Sequence, residues 1–80
     1  MELSDLRGAL VIAEERSLGR AAARLAVSSR TLERRIAGLE RELGLVIFVR
    51  EGEACRPTPQ GRRFLEEAAR ILARRPPSHS

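Results

Sequence analysis

Lysine, tryptophan and tyrosine are all absent from this chain of 80 residues. Phe48 and Phe64 are its only aromatics, so any core must be built from Leu, Ile, Val and Ala, which favours packed helices. There is one cysteine, Cys55, and one histidine, His79. Within one chain that excludes a disulfide framework and a Cys/His metal set. It also supplies no nucleophile–base pair for covalent catalysis. No apolar run approaches the ~20 residues needed to cross a bilayer. Residues 1–15 carry acids and lack the apolar stretch of a secretory leader. The expectation is a cytoplasmic protein that is not an enzyme, with no cofactor, no metal and no membrane partner.

Eighty residues make one domain. A chain this short buries only about 60% of its unfolded surface, so support from a partner chain is expected. The formal net charge is +4, and all 15 basic residues are Arg. Residues 1–27 hold four Arg and four acids, whereas residues 28–80 hold eleven Arg against seven acids. A GC-rich codon bias is the simpler account of Arg over Lys, but it does not account for where the charge sits. A basic surplus in one part of a small domain points to a polyanion.

The apolar spacing gives four helices. Leu3, Leu6, Leu10 and Ala13, with Ile12, make one face of a helix over residues 4–15, with Ser4 as its cap. Gly8 within it costs about 1 kcal/mol relative to Ala. Ser17 caps a short Ala-rich helix through Leu25. Ala26-Val27-Ser28 breaks the chain, and Ser28 caps a third helix. There Leu32, Ile36, Leu39 and Leu43 form one stripe, and Gly44 ends it. Residues 45–49 are of strand type, residues 50–54 turn-like, and Cys55-Arg56-Pro57 a short return strand. Thr58-Pro59 starts a fourth helix, carried by Phe64, Leu65, Ala68, Ile71 and Leu72. Pro76-Pro77 ends it, and Ser78-His79-Ser80 reads as a frayed tail.

Two short helices joined by about three residues have helix-turn-helix spacing. Opposite the Leu/Ile stripe of the third helix lie Arg30, Arg34 and Arg41, with Ala37 and Gly38 between them. Small residues let a helix sit deep in a groove, and Arg can fork onto guanine or hold phosphate. Thr31 and Arg35 line one flank; Glu33 and Ser29 lie toward the other. Ser28 and Ser29 offer hydroxyls and backbone N–H groups to phosphate. Glu33 would repel phosphate unless it accepts from a cytosine amino group or braces a nearby Arg such as Arg30, and a purely structural role is the favoured reading. Arg50 and Arg56 bracket the hairpin turn, where a wing reaches phosphate or the minor groove. Glu51 and Glu53 make a solvated turn nearly as good a reading. Cys55 is a filler of a hairpin position or, if exposed beside Arg56, a redox-sensitive thiol.

The run Ala21-Ala22, Leu25, Val27-Ser28, Leu32, Arg34, Ile36, Leu39-Glu40, Glu42-Leu43-Gly44, Phe48, Arg50, Thr58 and Gly61 resembles the amino-terminal domain of LysR-type transcriptional regulators. The likeness covers about residues 2–74. Molybdate-responsive repressors are similar in layout and match less well. The resemblance implies a mainly α, winged helix-turn-helix fold: a three-helix core, a small β-hairpin wing and a carboxy-terminal linker helix. It divides the chain into residues 1–57, a DNA-binding domain, residues 58–75, a linker and dimerisation helix, and residues 76–80, a disordered tail. It implies Ser17 and Arg20 as phosphate contacts and residues 28–35 as the groove-facing segment. It also implies a homodimer on double-stranded DNA through the fourth helix, whose stripe of Phe64, Leu65, Ala68, Ile71 and Leu72 is expected to pack partly on the chain's own core and partly on the same helix of a second chain.

The chain departs from that family in four places. Gly8, Ala9 and Leu18 stand where the family has bulkier aromatics, so the first helix is expected to pack loosely. Ser29 and Arg30 stand where Gln and then Pro or Ser are usual, and Glu33 where a small residue is common. The family's effector-binding domain has no counterpart here, so no small-molecule effector site is expected. The chain then reads as an excised domain or a stand-alone short relative. A protein-interaction module on the same scaffold is the alternative function.

Overall fold

The computed structural model describes residues 1–74. The Pro76-Pro77 stop, the 76–80 tail and His79 lie outside the described residues. Along the chain run α1 (Leu3–Glu15), α2 (Leu18–Leu25), α3 (Ser29–Leu43), β1 (Phe48–Glu51), β2 (Ala54–Pro57) and α4 (Pro59–Ala73). The fold is mainly helical, with one antiparallel two-stranded hairpin as its wing.

Serine and threonine hydroxyls set three of the four helix starts. Ser17 accepts from the Arg20 N–H at 3.1 Å, Ser28 from Thr31 at 3.0 Å, and Thr58 from Gly61 at 2.8 Å. Each satisfies a backbone donor that the first helical turn leaves unpaired. The start of α1 differs from expectation. Ser4 lies inside the helix, and Glu2 is the cap. The Asp5 carboxylate reaches back to accept from the Glu2 N–H at 3.1 Å, so the acid in the first turn, not the serine, closes this end.

The core joins all three leading helices, the wing and the start of α4. Ala9, Ile12, Ala21, Ala22, Leu32, Leu39, Ile47, Cys55 and Leu65 are among its buried members. The α3 stripe lies where its spacing puts it: Leu32, Ile36 and Leu39 are buried and Leu43 half-buried. The α1 face is rotated from the expected one. Leu6, Gly8, Ala9, Val11 and Ile12 are buried, whereas Leu3 is exposed and Leu10 and Ala13 are half-buried. The reason is that α1 touches α2, α3 and α4 together, so its buried arc is wider than one stripe. Gly8 lies within that arc, with Leu32 Cδ1 3.3 Å from where a Cβ would stand.

Ile47 is the junction of the molecule. It is fully buried. One carboxylate oxygen of Glu40 on α3 accepts from the Ile47 N–H at 2.8 Å and the Phe48 N–H at 3.2 Å. The Ile47 carbonyl accepts from the Thr58 N–H at 2.8 Å. The first turn of α4 presses against the same residue at Gly61, where a Cβ would lie 2.2 Å from the Ile47 carbonyl oxygen. Only glycine fits there. These bonds also explain why the strand expected at residues 45–49 begins at Phe48. Glu40 takes the Ile47 N–H, and the opposite strand turns into α4 at Thr58, so the ladder ends with the single Thr58-to-Ile47 bond and residues 45–46 have no strand to join.

The wing turns over Gly52-Glu53, with Gly52 at φ +59°, the place where a two-residue hairpin loop favours glycine. Its far strand is tied back to the helices. The Cys55 N–H donates to the Arg16 carbonyl at 3.1 Å, and Ala54 bridges to Ser17.

Candidate nucleic-acid interface

The outward face of α3 carries cations with no counter-ion. At 100° per residue, Arg30, Arg34 and Arg41 fall within about 40° of one another. All three are exposed, and none has a salt bridge among the described residues. Ala37 and Gly38 lie between them and are half-buried, so the face is low in the middle and bordered by guanidinium groups. Gly44 closes the far end in the left-handed conformation, φ +70°.

The two flanks of α3 differ. Arg35 faces a shallow groove shared with Asp5, Arg34, Gly38 and Arg41, on the side of the α1 start. Thr31, on that same side of α3, accepts from the Ser28 hydroxyl at 2.9 Å. The Ser28 hydroxyl, expected to be open to phosphate, is therefore engaged twice, as cap and as donor to Thr31. What the helix start leaves open is the Ser29 and Arg30 backbone N–H groups, which no intrahelical carbonyl can reach. Ser29 and Arg30 are both exposed. At α2, Ser17 is a half-buried cap and Arg20 is exposed one turn on.

Glu33 points the other way, toward the wing, and forms an ion pair with Arg50. The brace expected for Arg30 is thus made to Arg50 instead. Arg50 lies directly across the hairpin from Cys55, so it emerges on the inner side, against α3. Arg56 stands on the outer side, opposite Val49, and pairs with Glu51 at 2.8 Å. Both wing cations expected to be available to phosphate are thus held by carboxylates.

Between α3 and the wing lies a cleft of about 190 Å³, lined by Ile12, Leu18, Ile36, Phe48 and Cys55, with Glu33 and Arg50 at its mouth. Leu18, one of the small-for-position residues, borders this space. Cys55 is 2% exposed. Burial pushes its thiol above the ordinary range, with Arg50 opposing more weakly. An exposed thiolate activated by Arg56 is therefore not what the fold contains.

On α4 the expected dimer stripe divides. Leu65 and Ala68 are consumed by the chain's own core and are not on a free face. They point inward because α4 lies along α1. Phe64 is half-buried against the same core. Ile71 is 42% exposed, and half-buried Leu72 faces a groove shared with Leu3, Leu10 and Val11 of α1. Among the described residues no helix is long and apolar enough to cross a membrane, and no three His, Cys, Asp or Glu side chains converge on a metal-sized site.

Sequence reasoning did not identify Glu40 as the residue that fixes the wing to α3. Its signal was an acid placed on the wing-side flank, four residues before a helix-ending glycine.

The family described as "Bacterial regulatory helix-turn-helix protein, lysR family" matches residues 3–62. The transcriptional regulator ClcR of Pseudomonas putida is 42% identical over 72 residues, covering 90% of this chain and 24% of ClcR. The small neutral protease regulatory protein of Streptomyces coelicolor is 43% identical over 72 residues, covering 90% and 22%. This chain therefore spans about a quarter of the length of these relatives. The crystal structure of the CbnR DBD–DNA complex superposes with a TM-score of 0.88 at 37% identity, covering 91% of this chain and 84% of that one. The winged helix-turn-helix, the four helix positions and the family match agree, and the chain belongs to the LysR family of bacterial helix-turn-helix regulatory proteins.

Proposed function

We propose that this chain is the DNA-binding part of a transcription regulator, entering the major groove of double-stranded DNA with α3 and recognising specific sequence there. One observation carries the reading: Arg30, Arg34 and Arg41 share an exposed face, beside Ala37 and Gly38, and none of them is in a salt bridge among the described residues. Such a face can approach a groove closely and supply guanidinium forks to bases or phosphates. The DNA complex of the CbnR relative supports it. Ser29, Arg30, Thr31, Arg34 and Arg35 are the proposed groove contacts. The starts of α2 and α3, with Ser17, Arg20 and the Ser29 and Arg30 backbone N–H groups, would grip the flanking backbone. The protein acts as a regulator rather than an enzyme, in the cytoplasm where chromosomal DNA is reached.

A homodimer completes the proposal. Ile71 is exposed on α4, and Leu72 shares a groove with Leu3 and Leu10 of α1. A second copy packed there would place two α3 helices on a two-fold site.

The test is selection of bound duplexes from a random pool, followed by sequencing. A two-fold motif with half-sites about one helical turn or more apart supports the proposal. A pool with no enrichment removes it in favour of a protein-interaction module. Arg34→Ala should weaken binding to the selected duplex by about 1–3 kcal/mol.

A further inference from the structure

We propose that Glu33 competes with DNA phosphate for Arg50, and so sets the strength and salt dependence of DNA binding from within the domain. The inference rests on the DNA-binding reading above and deepens it.

Arg50 and Glu33 are seventeen residues apart, on β1 and α3, and their side chains meet in an ion pair. Arg30 stands one turn earlier on Glu33's own helix, yet the carboxylate pairs across to the wing. The hairpin geometry explains this. Arg50 is the inner-face partner of buried Cys55, so its side chain leaves the hairpin toward the flank of α3 that bears Glu33. The pair spans the mouth of the cleft floored by Ile12, Leu18 and Phe48. Arg50 therefore lies within one side-chain length of the helix proposed to enter the groove.

Both partners remain about half exposed, at 54% for Glu33 and 46% for Arg50. An exposed pair adds little to stability. Its consequence is for charge availability. A guanidinium contributes to DNA affinity by releasing a counter-ion from phosphate. Arg50 must leave Glu33 before it can do so, and the freed carboxylate would then face the phosphates. While the pair holds, neither wing arginine is free for phosphate, and the cations of α3 act alone. Removing the carboxylate releases Arg50 without touching the α3 face.

The test uses the whole chain, the selected duplex and a scrambled duplex, with fluorescence anisotropy from 50 to 200 mM salt. Parent, Glu33→Gln, Arg50→Ala and the double variant are compared, each checked for folding by circular dichroism. Glu33→Gln should bind both duplexes more tightly than the parent, with the logarithmic salt slope steeper by about 0.9. The gain at 50 mM then exceeds that at 200 mM by roughly three- to fourfold. It should vanish in the Arg50→Ala background. An unchanged slope in Glu33→Gln, with the parent still binding, overturns the inference and leaves the DNA-binding reading standing. So does a gain that persists undiminished without Arg50, because Glu33 would then act on phosphate directly. Failure of the parent and all variants to bind any duplex removes both.

Discussion

The α3 face and the wing both carry arginines, yet only one of them presents free charge. Among the described residues Arg30, Arg34 and Arg41 form no salt bridge, whereas Arg50 and Arg56 are tied to Glu33 and Glu51. The residue type is the same; what differs is where the acids fall. On α3 the acids at positions 33, 40 and 42 lie on the flanks, with Glu42 reaching the amino terminus at 3.2 Å. A helix 15 residues long can separate charges around its circumference. A hairpin of two four-residue strands cannot, since each face holds only alternate residues. A cation's count in the sequence is therefore a poor guide to its availability.

The wing's root is the strongest place to break this contrast. Gly61→Ala drives a Cβ into the Ile47 carbonyl, a backbone group that cannot swing aside. It should cost about 3 kcal/mol or more, read from urea unfolding, because overpacking at a rigid contact forces the backbone apart. A loss below 1 kcal/mol would mean that α4 does not press on Ile47 this closely.

The contrast itself is tested by pairing two truncations. Arg34→Ala should carry its loss of up to about 3 kcal/mol in duplex affinity, whereas Arg56→Ala stays within about 0.5 kcal/mol of the parent. Equal losses in anisotropy titrations would show that pairing with Glu51 does not withhold Arg56. Next in size is Glu40→Ala, which leaves the Ile47 and Phe48 N–H groups without their carboxylate. About 2 kcal/mol of stability should go, and hydrogen exchange should rise first at those two amides.

The smallest effect is a gain. Ala26 ends α2 at φ +60°, a left-handed conformation that strains a side chain with a Cβ. Ala26→Gly should raise stability by about 1 kcal/mol in the same urea titration and leave duplex affinity unchanged. A fall in stability would show that the backbone at this turn is not strained.

Much of the fold was legible because its signals are local. Ser17, Ser28 and Thr58 mark helix starts through hydroxyls that bond three residues onward, and Gly44 marks a stop. The α3 stripe needed only the 3.6-residue period, since α3 buries a single face. The same reasoning misjudged α1, which is covered on several sides. It also placed the wing's first strand too early, because nothing in residues 45–47 announces that Glu40 and Thr58 take the Ile47 backbone. On the site, the Arg face of α3 was readable from spacing, and the structure leaves it free. The pairing of Arg50 with Glu33 was not readable, since it joins residues on different elements.

Order along the chain, the starts of α2, α3 and α4, the basic surplus after residue 27 and the outward Arg face were determined by the sequence alone, because each depends on neighbours within about one turn or on composition. Tertiary structure decided which charges are free, which thiol is buried and which α4 side chains remain for a partner. Those depend on distances between residues far apart in the chain, and such distances exist only once α3, the wing and α4 have closed around Ile47.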